Sequence, residues 1–281
     1  MASNHLLSLP IELVLEILLS ASSSSARTYR SILLVSKQFN NLARFDCLQT
    51  VPIVLEGYEQ LNSFQYLLEE SPETNKRVRY LWITGDGLTC WSLITSILRS
   101  CTYVINLSCS SRSVTSLCTS ESFQHTHCTE LTLIETWHAW NDIMLTPHGA
   151  QLCRQLTHLR LHEGLSPEFP KTHFTHLTHL AFSSRPIREF IERHLETLRP
   201  LPALQHLVVT TFWWRDGPPD GSASELLDLD PRLAVLHCRK SWTELGTWRD
   251  GVSGGSSIWD QAKRERRSMK VFHGVFKAMR T

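Results

Sequence analysis

The sequence predicts an α/β fold in which an all-α helical hairpin at the N-terminus is followed by an irregular solenoid of repeats. Two apolar helical patterns occupy roughly the first 45 residues. A leucine motif typical of short strands then recurs at intervals of 21 to 29 residues, with candidate helices between the recurrences. The 281 residues are enough for one or two domains with a sizeable core.

The composition excludes several classes of protein. Lys and Arg total 28 against 27 Asp and Glu, and a net charge of +1 argues against a nucleic-acid partner. No apolar run reaches the roughly 18 to 20 residues that cross a bilayer, and no basic stretch of a signal peptide precedes the first apolar run. We therefore expect no membrane association and a cytoplasmic or nuclear location. Eight cysteines without CxxC spacing are expected to be free, mostly buried thiols.

The N-terminal region is predicted to form two helices. Pro10 suits the first position of a helix and Glu12 its first turn, and apolar residues then surround most of the helix to about Leu19. A serine-rich stretch over 20–26 precedes a second helix over about 28–44. Two helices this short cannot hide all their apolar surface against each other. The surplus packs either on the rest of the chain or in the groove of a separate protein.

This region resembles the F-box. The matching residues, within 5–46, are Leu9-Pro10-x-Glu12-Leu13, Ile17-Leu18, Val35-Ser36-Lys37-x-Phe39 and Leu42-Ala43. The chain departs from the family pattern in its serine-rich segment and at Phe39, where the family usually has Trp. The resemblance implies binding to the Skp-type adaptor of a cullin-based ubiquitin ligase. The set implied to face the adaptor, or to form the core of the hairpin, is Leu9, Pro10, Leu13, Ile17, Leu18, Val35 and Phe39.

Residues 78–245 carry the repeated strand motif. Its apolar pairs begin at Leu81, Ile105, Leu131, Leu159, Leu180, Leu207 and Leu236. Helices are expected between the strands, for example over 90–100, 147–156 and 186–198. The spacing resembles the degenerate leucine-rich arrays that commonly follow an F-box. A domain with one conventional parallel sheet fits the same pattern less economically.

The flanking segments are assigned as caps of this array. Residues 50–77 are expected to supply a linker and an N-terminal cap, with a strand over 51–55 and a helix carrying Leu61 and Phe64. Residues 257–281 are basic and carry apolar residues at helical spacing, which predicts an amphipathic helix that caps the other end. Nuclear targeting or contact with an acidic surface is the alternative for this basic segment.

The motifs of common enzymes are absent from the sequence. GxxxxGK[ST], GxGxxG and HExxH do not occur, and the one GxSxG match, at 251–255, lacks the preceding strand of a nucleophile elbow. We therefore expect no catalytic residue, no cofactor and no metal. The group His125-x-His127-Cys128, with Cys118 as a further ligand, is the alternative metal site, and its simpler interpretation is a polar loop.

Two other sets of residues stand out. His158, His179 and His206 each precede the core leucine of consecutive repeats, so we expect them to stack along one exposed face. Four tryptophans in loops after strands are candidate anchors for a target protein, unless each packs on its own repeat: Trp137, Trp140, Trp213 and Trp214. Scattered arginines such as Arg160 are interpreted as solvated surface.

These observations predict a substrate-recognition subunit of a cullin-based ubiquitin ligase. Its F-box would bind the Skp-type adaptor, which connects it to the cullin scaffold, and its repeats would bind an unknown target protein. The alternative is a repeat-based interaction protein outside any ligase, in which the N-terminal helices only cap the array. An enzyme of unrecognised type is the third hypothesis, and it requires a pocket with converging titratable groups.

Overall fold

The computed structural model describes residues 9–121, 123–134, 140–184, 188–212, 229–238 and 242–267. Its strands form one eight-stranded, all-parallel sheet in which the spatial order follows the chain order. The strands are β1 Pro52–Glu56, β2 Tyr80–Thr84, β3 Asn106–Cys109, β4 Glu130–Leu133, β5 His158–Leu161, β6 His179–Ser183, β7 His206–Phe212 and β8 Leu233–Cys238.

Helices precede the sheet, connect its strands and follow it. They are α1 Ile11–Ser24, α2 Ala26–Val35, α3 Lys37–Asp46, α4 Tyr58–Glu70, α5 Gly87–Ser100, α6 Ser111–Cys118, α7 Trp140–Met144, α8 Gly149–Gln155, α9 Arg188–Leu198, α10 Glu244–Val252 and α11 over 258–267. The chain divides into two compact units, Met1–Leu107 with Val252–Gly255, and Ser108–Gly251 with Ser256–Thr281. No helix in the described ranges combines the length and the apolar character that a membrane span requires.

In the first unit, the N-terminal helices pack into one apolar core with the chain that leads into β1. Val14 and Leu18 of α1 are buried in a cluster that also contains Ala43 of α3 and, beyond the helices, Cys47 and Val51. The Tyr29 hydroxyl donates a hydrogen bond to the Arg44 carbonyl at 2.8 Å, which ties α2 to α3. The three helices are therefore part of the body of this unit.

Serine caps explain why three helices form where the sequence predicted two. The serine-rich stretch is helical as far as Ser24, because α1 continues through it. Ser25 then accepts a hydrogen bond from the Thr28 amide at 3.0 Å and begins α2. Ser36 accepts from the Phe39 amide at 3.1 Å and begins α3, so the predicted second helix is split. A serine hydroxyl at an N-cap satisfies an amide that otherwise has no helical partner.

In the second unit, strands β4 to β8 pair in register. His158 lies opposite His179, which lies opposite His206, and the buried leucines that follow them are aligned in the same way. The last strand differs from the expected alignment, because Leu207 pairs with Leu233 and not with Leu236. The predicted strand motifs otherwise coincide with β2, β4, β5, β6 and β7.

Helices cover both faces of this part of the sheet. Phe182 of β6 packs against His194 of α9, with 5.0 Å between ring centroids. Its neighbour Ala181 points to the opposite face, as successive strand residues do, and clusters there with Ile258 and Ala262 of α11. A parallel sheet that is buried on both faces is typical of layered α/β proteins.

The predicted fold class, an all-α hairpin followed by an irregular leucine-rich solenoid, is therefore wrong. The chain is an α/β protein built on one all-parallel sheet. The prediction located most of the secondary-structure elements but was wrong about how they pack together. The N-terminal helices share a core with Cys47 and Val51, and α11 lies on the sheet face at Ala181 instead of capping an open end.

Two leucines on α1 provide a direct test of this packing. Leu18 is 4% exposed and Leu13 is 46% exposed. We expect Leu18→Ala to lower the free energy of unfolding by about 2–4 kcal/mol, because it leaves a cavity in the core. Leu13→Ala is expected to change it by less than about 0.5 kcal/mol. Urea denaturation of the two variants under one buffer condition measures the difference, and equal losses would contradict the assigned orientation of α1.

Candidate functional site

One face of α1 presents apolar side chains to solvent. Leu13 and Ile17 are four residues apart in α1, so they lie on one side of the helix, and Leu9 stands just before the N-cap Pro10. The exposed fractions of Leu9, Leu13 and Ile17 are 39%, 46% and 44%. We call these three residues the α1 apolar face. An apolar stripe at this spacing is the pattern that helices use to dock in a partner's groove.

The local sequence explains why α1 is apolar on two sides. Pro10 stands at the N-cap with extended backbone, and Glu12 provides the negative charge that a first helical turn favours. Val14 and Leu18 fall one position after Leu13 and Ile17 and point into the core of the unit. The helix thus contributes one stripe to the protein's own core and keeps a second stripe at the surface.

Charge and further apolar surface accompany the α1 apolar face. Glu12 and Glu16 are exposed on the same helix, four residues apart, and add negative charge beside the apolar stripe. At the end of α2, Leu34 is 86% exposed and Val35 is 64% exposed. These two side chains add to the apolar surface that the N-terminal helices leave exposed.

The structure separates the residues implied to bind an adaptor into two groups. Five are exposed, namely Leu9, Pro10, Leu13, Ile17 and Val35. Leu18 is buried in the core of the first unit, and Phe39 packs partly buried against the same core. The last two therefore hold the helices together, which is the alternative role that the sequence left open for the whole set.

The tryptophans predicted to bind a target do not form one described site. Trp140 begins α7 and is 3% exposed, with its ring edge-on to Phe169 at 5.4 Å and to Phe174 at 5.6 Å between centroids. Of the two roles that the sequence left open for Trp140, the structure therefore favours packing inside the protein over a surface anchor, because the indole is part of an aromatic core cluster. Trp137, Trp213 and Trp214 lie outside the described residues.

The alternative metal site is a hydrogen-bonded loop. The Gln155 side-chain amide donates to the His125 carbonyl at 2.6 Å and to the Cys128 carbonyl at 2.8 Å. His125 is buried whereas His127 is exposed, so the two imidazoles do not face one ligand position. Within the part of the chain that the structure describes, no three His, Cys, Asp or Glu side chains are grouped to hold a metal ion.

The GxSxG match also lacks the structure that its chemistry needs. Gly251 and Val252 complete the last turn of α10, and Gly254 adopts a positive φ of 79° in the turn that follows. A nucleophile elbow requires a strand before its serine and a helix directly after it. Ser253 follows a helix instead, so this segment does not have the geometry of a nucleophile elbow.

A buried ionic cluster was missed by the sequence interpretation. Arg160 of β5 forms an ion pair with Glu244 at the start of α10, with 2.5 Å between Nη2 and Oε2, and both side chains are under 10% exposed. The guanidinium also lies 5.0 Å from the centroid of the Trp242 ring. His162 Nδ1 is 3.4 Å from the other Glu244 oxygen. These contacts hold the N-terminus of α10 against β5.

Hydrogen bonding and burial shift the pKa values of His162 and Arg160 in this cluster. Hydrogen bonding to Glu244 raises the pKa of His162, against the effect of burial. Burial lowers the pKa of Arg160, and the Glu244 carboxylate opposes this shift. Because a buried charge without a partner is strongly destabilising, Glu244 has a structural role. One strand arginine in a sequence offers no signal of this burial.

The eight cysteines are all free and all buried, which confirms the expectation from their spacing. Burial raises the pKa of Cys101, Cys118, Cys153 and Cys238 to about 12. Burial raises the pKa of Cys109 well above its usual value as well. Thiols in this state are protonated at neutral pH and are poor nucleophiles or metal ligands.

The predicted histidine stack forms, and α11 covers part of its face. His158, His179 and His206 stack across β5, β6 and β7, with ring centroids 4.1 Å and 4.6 Å apart. Trp259 of α11 lies edge-on to the first two rings. The expectation of an exposed face is corrected, because α11 packs on this side of the sheet.

Removal of Glu244 tests the structural role of the ionic cluster. We expect Glu244→Ala to lower the free energy of unfolding by about 3–5 kcal/mol, because it leaves the Arg160 charge buried and unpaired. The double variant Arg160→Leu with Glu244→Leu is expected to recover most of that loss. Glu168→Gln, a change at an exposed acid of the same unit, is the control. A loss below about 1 kcal/mol in Glu244→Ala, measured by urea denaturation, would contradict this role.

Thiol accessibility tests the burial of the cysteines. With the folded chain at pH 8, we expect fewer than one thiol per molecule to react with a disulfide reagent such as DTNB before the protein unfolds. In denaturing urea all eight are expected to react at once. A thiol that reacts within seconds in the folded protein would show that at least one cysteine is accessible.

Comparison with known proteins found no match for this chain. No protein-family description matches it, and no curated protein is similar to it in sequence.

Proposed function

We propose that the chain is a non-catalytic receptor that binds a Skp-type adaptor through its N-terminal helices and brings a target protein to a cullin-based ubiquitin ligase. The observation that carries this proposal is the exposure of the α1 apolar face, Leu9, Leu13 and Ile17. These residues belong to the segment that resembles the F-box. Their exposure supports a role in binding, because the core of the first unit is complete without them.

The physical chemistry of the α1 apolar face fits a partner's groove. Full burial of a leucine or isoleucine side chain contributes about 1.5–3 kcal/mol, so three side chains that are each partly exposed supply a moderate binding energy. Val35 and Leu34 at the end of α2 add apolar area. Glu12 and Glu16 leave a negative rim, which favours basic residues on the partner surface beside the apolar contact.

The chemical effect of such a receptor is proximity. A target held beside a ubiquitin-charged enzyme has its lysines at a high effective concentration, so the transfer becomes effectively intramolecular. No catalytic side chain is required of the receptor. The target itself is not identified by the described residues.

A specific observation favours a second candidate, an interaction protein outside any ligase. Helices α1 to α3 are integrated into the first unit, because Val14 and Leu18 share a core with Cys47 and Leu48. Arg44 of α3 also donates to the Ser71 hydroxyl at 2.8 Å. Helices that complete a core have a role without any adaptor. In this case the α1 apolar face would bind a different partner.

Co-purification with a Skp-type adaptor tests the proposal. We expect the full chain to bind the adaptor and the double variant Leu13→Ala with Ile17→Ala to bind at least tenfold more weakly, because two apolar anchors are lost. The matched control is Leu88→Ala with Leu145→Ala, which removes two leucines that are 81% and 85% exposed elsewhere. This control is expected to bind as the wild type does.

The outcomes separate the two candidates. Urea midpoints within experimental error of the wild type establish that the variants are folded. If folded wild type does not bind the adaptor, or if both double variants lose binding equally, the ligase-receptor proposal is wrong. The interaction protein outside a ligase is then the better account of the N-terminal helices.

A further inference from the structure

Three imidazole rings are held in a stack by the pairing of their strands. His158, His179 and His206 are register partners, so each ring lies above the next at the spacing of adjacent strands. The Nδ1 atoms of His158 and His179 form hydrogen bonds with the hydroxyls of the preceding threonines, Thr157 at 2.9 Å and Thr178 at 2.8 Å. These bonds fix the orientation of both rings relative to the sheet.

Helix α11 lies on top of this stack. The Trp259 ring is edge-on to His158, with 5.5 Å between centroids, and to His179, with 5.1 Å. Beside the stack, Ile258 and Ala262 pack into a cluster with sheet residues that include Ala181 and Val208. The apolar side of α11 is therefore in contact with the sheet, while Lys263 and Arg267 are exposed to solvent.

The covered imidazoles resist protonation. Burial, reinforced by the positive charge of Lys263, lowers the pKa of His158 to about 4. Burial, the two neighbouring imidazoles and Lys263 lower the pKa of His179 to about 3. Burial, with Lys263 and Arg266, lowers the pKa of His206 as well. At neutral pH the stack is uncharged.

The other charged groups around the stack come from three elements. Glu130 of β4 is the register partner of His158 and is the acidic neighbour on that side. Before β8, Arg232 is paired with Asp230 at 2.8 Å. On α11, Lys263 and Arg266 are the cations that act on the stack. Burial and the positive charge of Lys263 lower the pKa of all three histidines.

We propose that the histidine stack is a proton-sensitive latch, which holds α11 on the sheet at neutral pH and loosens this hold progressively as the pH falls below about 6.5. Release of α11 brings the imidazoles into water and removes the charge of Lys263 from their surroundings. The released state therefore binds protons that the docked state does not bind. By linkage, docking is fully favoured above pH 6.5 and weakens as the pH falls towards 4.

Release uncovers a defined surface. The sheet residues that α11 covers include Ala181, Val208, Ala234 and Leu236, which are at most 9% exposed in the docked state. These side chains would form an apolar strip across β6, β7 and β8. The latch controls access to this strip, and it is independent of any adaptor binding by α1.

Hydrogen–deuterium exchange on the full chain tests the latch. We compare the amides of 258–267 at pH 7.5 and pH 5.0, with rates corrected for the intrinsic effect of pH. In the wild type we expect protection to fall roughly tenfold to several hundredfold, because two or three histidines become protonated on release. In His158→Phe with His179→Phe and His206→Phe, flat rings that do not titrate are expected to keep the change below about twofold.

Two further measurements keep the test decisive. His176→Phe removes an exposed histidine of the same unit and is expected to behave as the wild type does. If the triple variant does not fold, His179→Phe alone replaces the central ring and is expected to reduce the pH effect by about tenfold.

The proposal is overturned by either of two results. One is an unchanged loss of protection in the folded ring-replacement variants, which would mean that the histidines do not carry the pH effect. The other is a simultaneous loss of protection in peptides from β5, β6 and β7, which would mean that the unit unfolds at pH 5.0 and that α11 is not released by itself.

Discussion

In-register pairing of parallel strands is the constraint on which the second unit of this protein depends. The carbonyl of Thr129 accepts the amides of Thr157 at 2.9 Å and His158 at 3.1 Å, and the carbonyl of Thr157 repeats this with Thr178 and His179. The Thr157 and Thr178 hydroxyls donate to the same two carbonyls. The first residues of neighbouring strands are thus aligned across the sheet. A slip of one residue would turn the leucine face outwards, so the register is strongly determined.

Equivalent positions therefore stack, and the two faces of the sheet acquire different chemistry. The leucines at the second position of β5, β6 and β7 are buried on the face towards the connecting helices. The opposite face carries the histidines and, further along β5, the charge of Arg160. A charge there is tolerated because Glu244 arrives with α10, and the imidazoles stay neutral because α11 covers them. Helices α10 and α11, which follow β8, thus cover the polar face of the sheet.

The N-terminal helices show how one amphipathic pattern serves two purposes. The first stripe of α1, with Val14 and Leu18, belongs to the core of its unit. The second stripe, the α1 apolar face, is exposed to solvent. Serine caps at Ser25 and Ser36 break the following chain into two helices, and this leaves Val35 at an exposed corner. Apolar surface that remains outside a complete core is available for a partner.

Local pattern was sufficient to locate most strands, to predict free buried thiols and to align the three histidines, because period-2 spacing and repeat position act over a few residues. The helix boundaries at Ser25 and Ser36 and the pairing of Leu207 with Leu233 were not predicted. The larger errors concern distant segments. Whether Leu13 or Leu18 is buried, and whether Arg160 meets a carboxylate, depends on which segments pack against them. Glu244 lies more than 80 residues from Arg160. Such packing depends on shape and charge complementarity between distant segments. Residue spacing within one short segment cannot predict this complementarity.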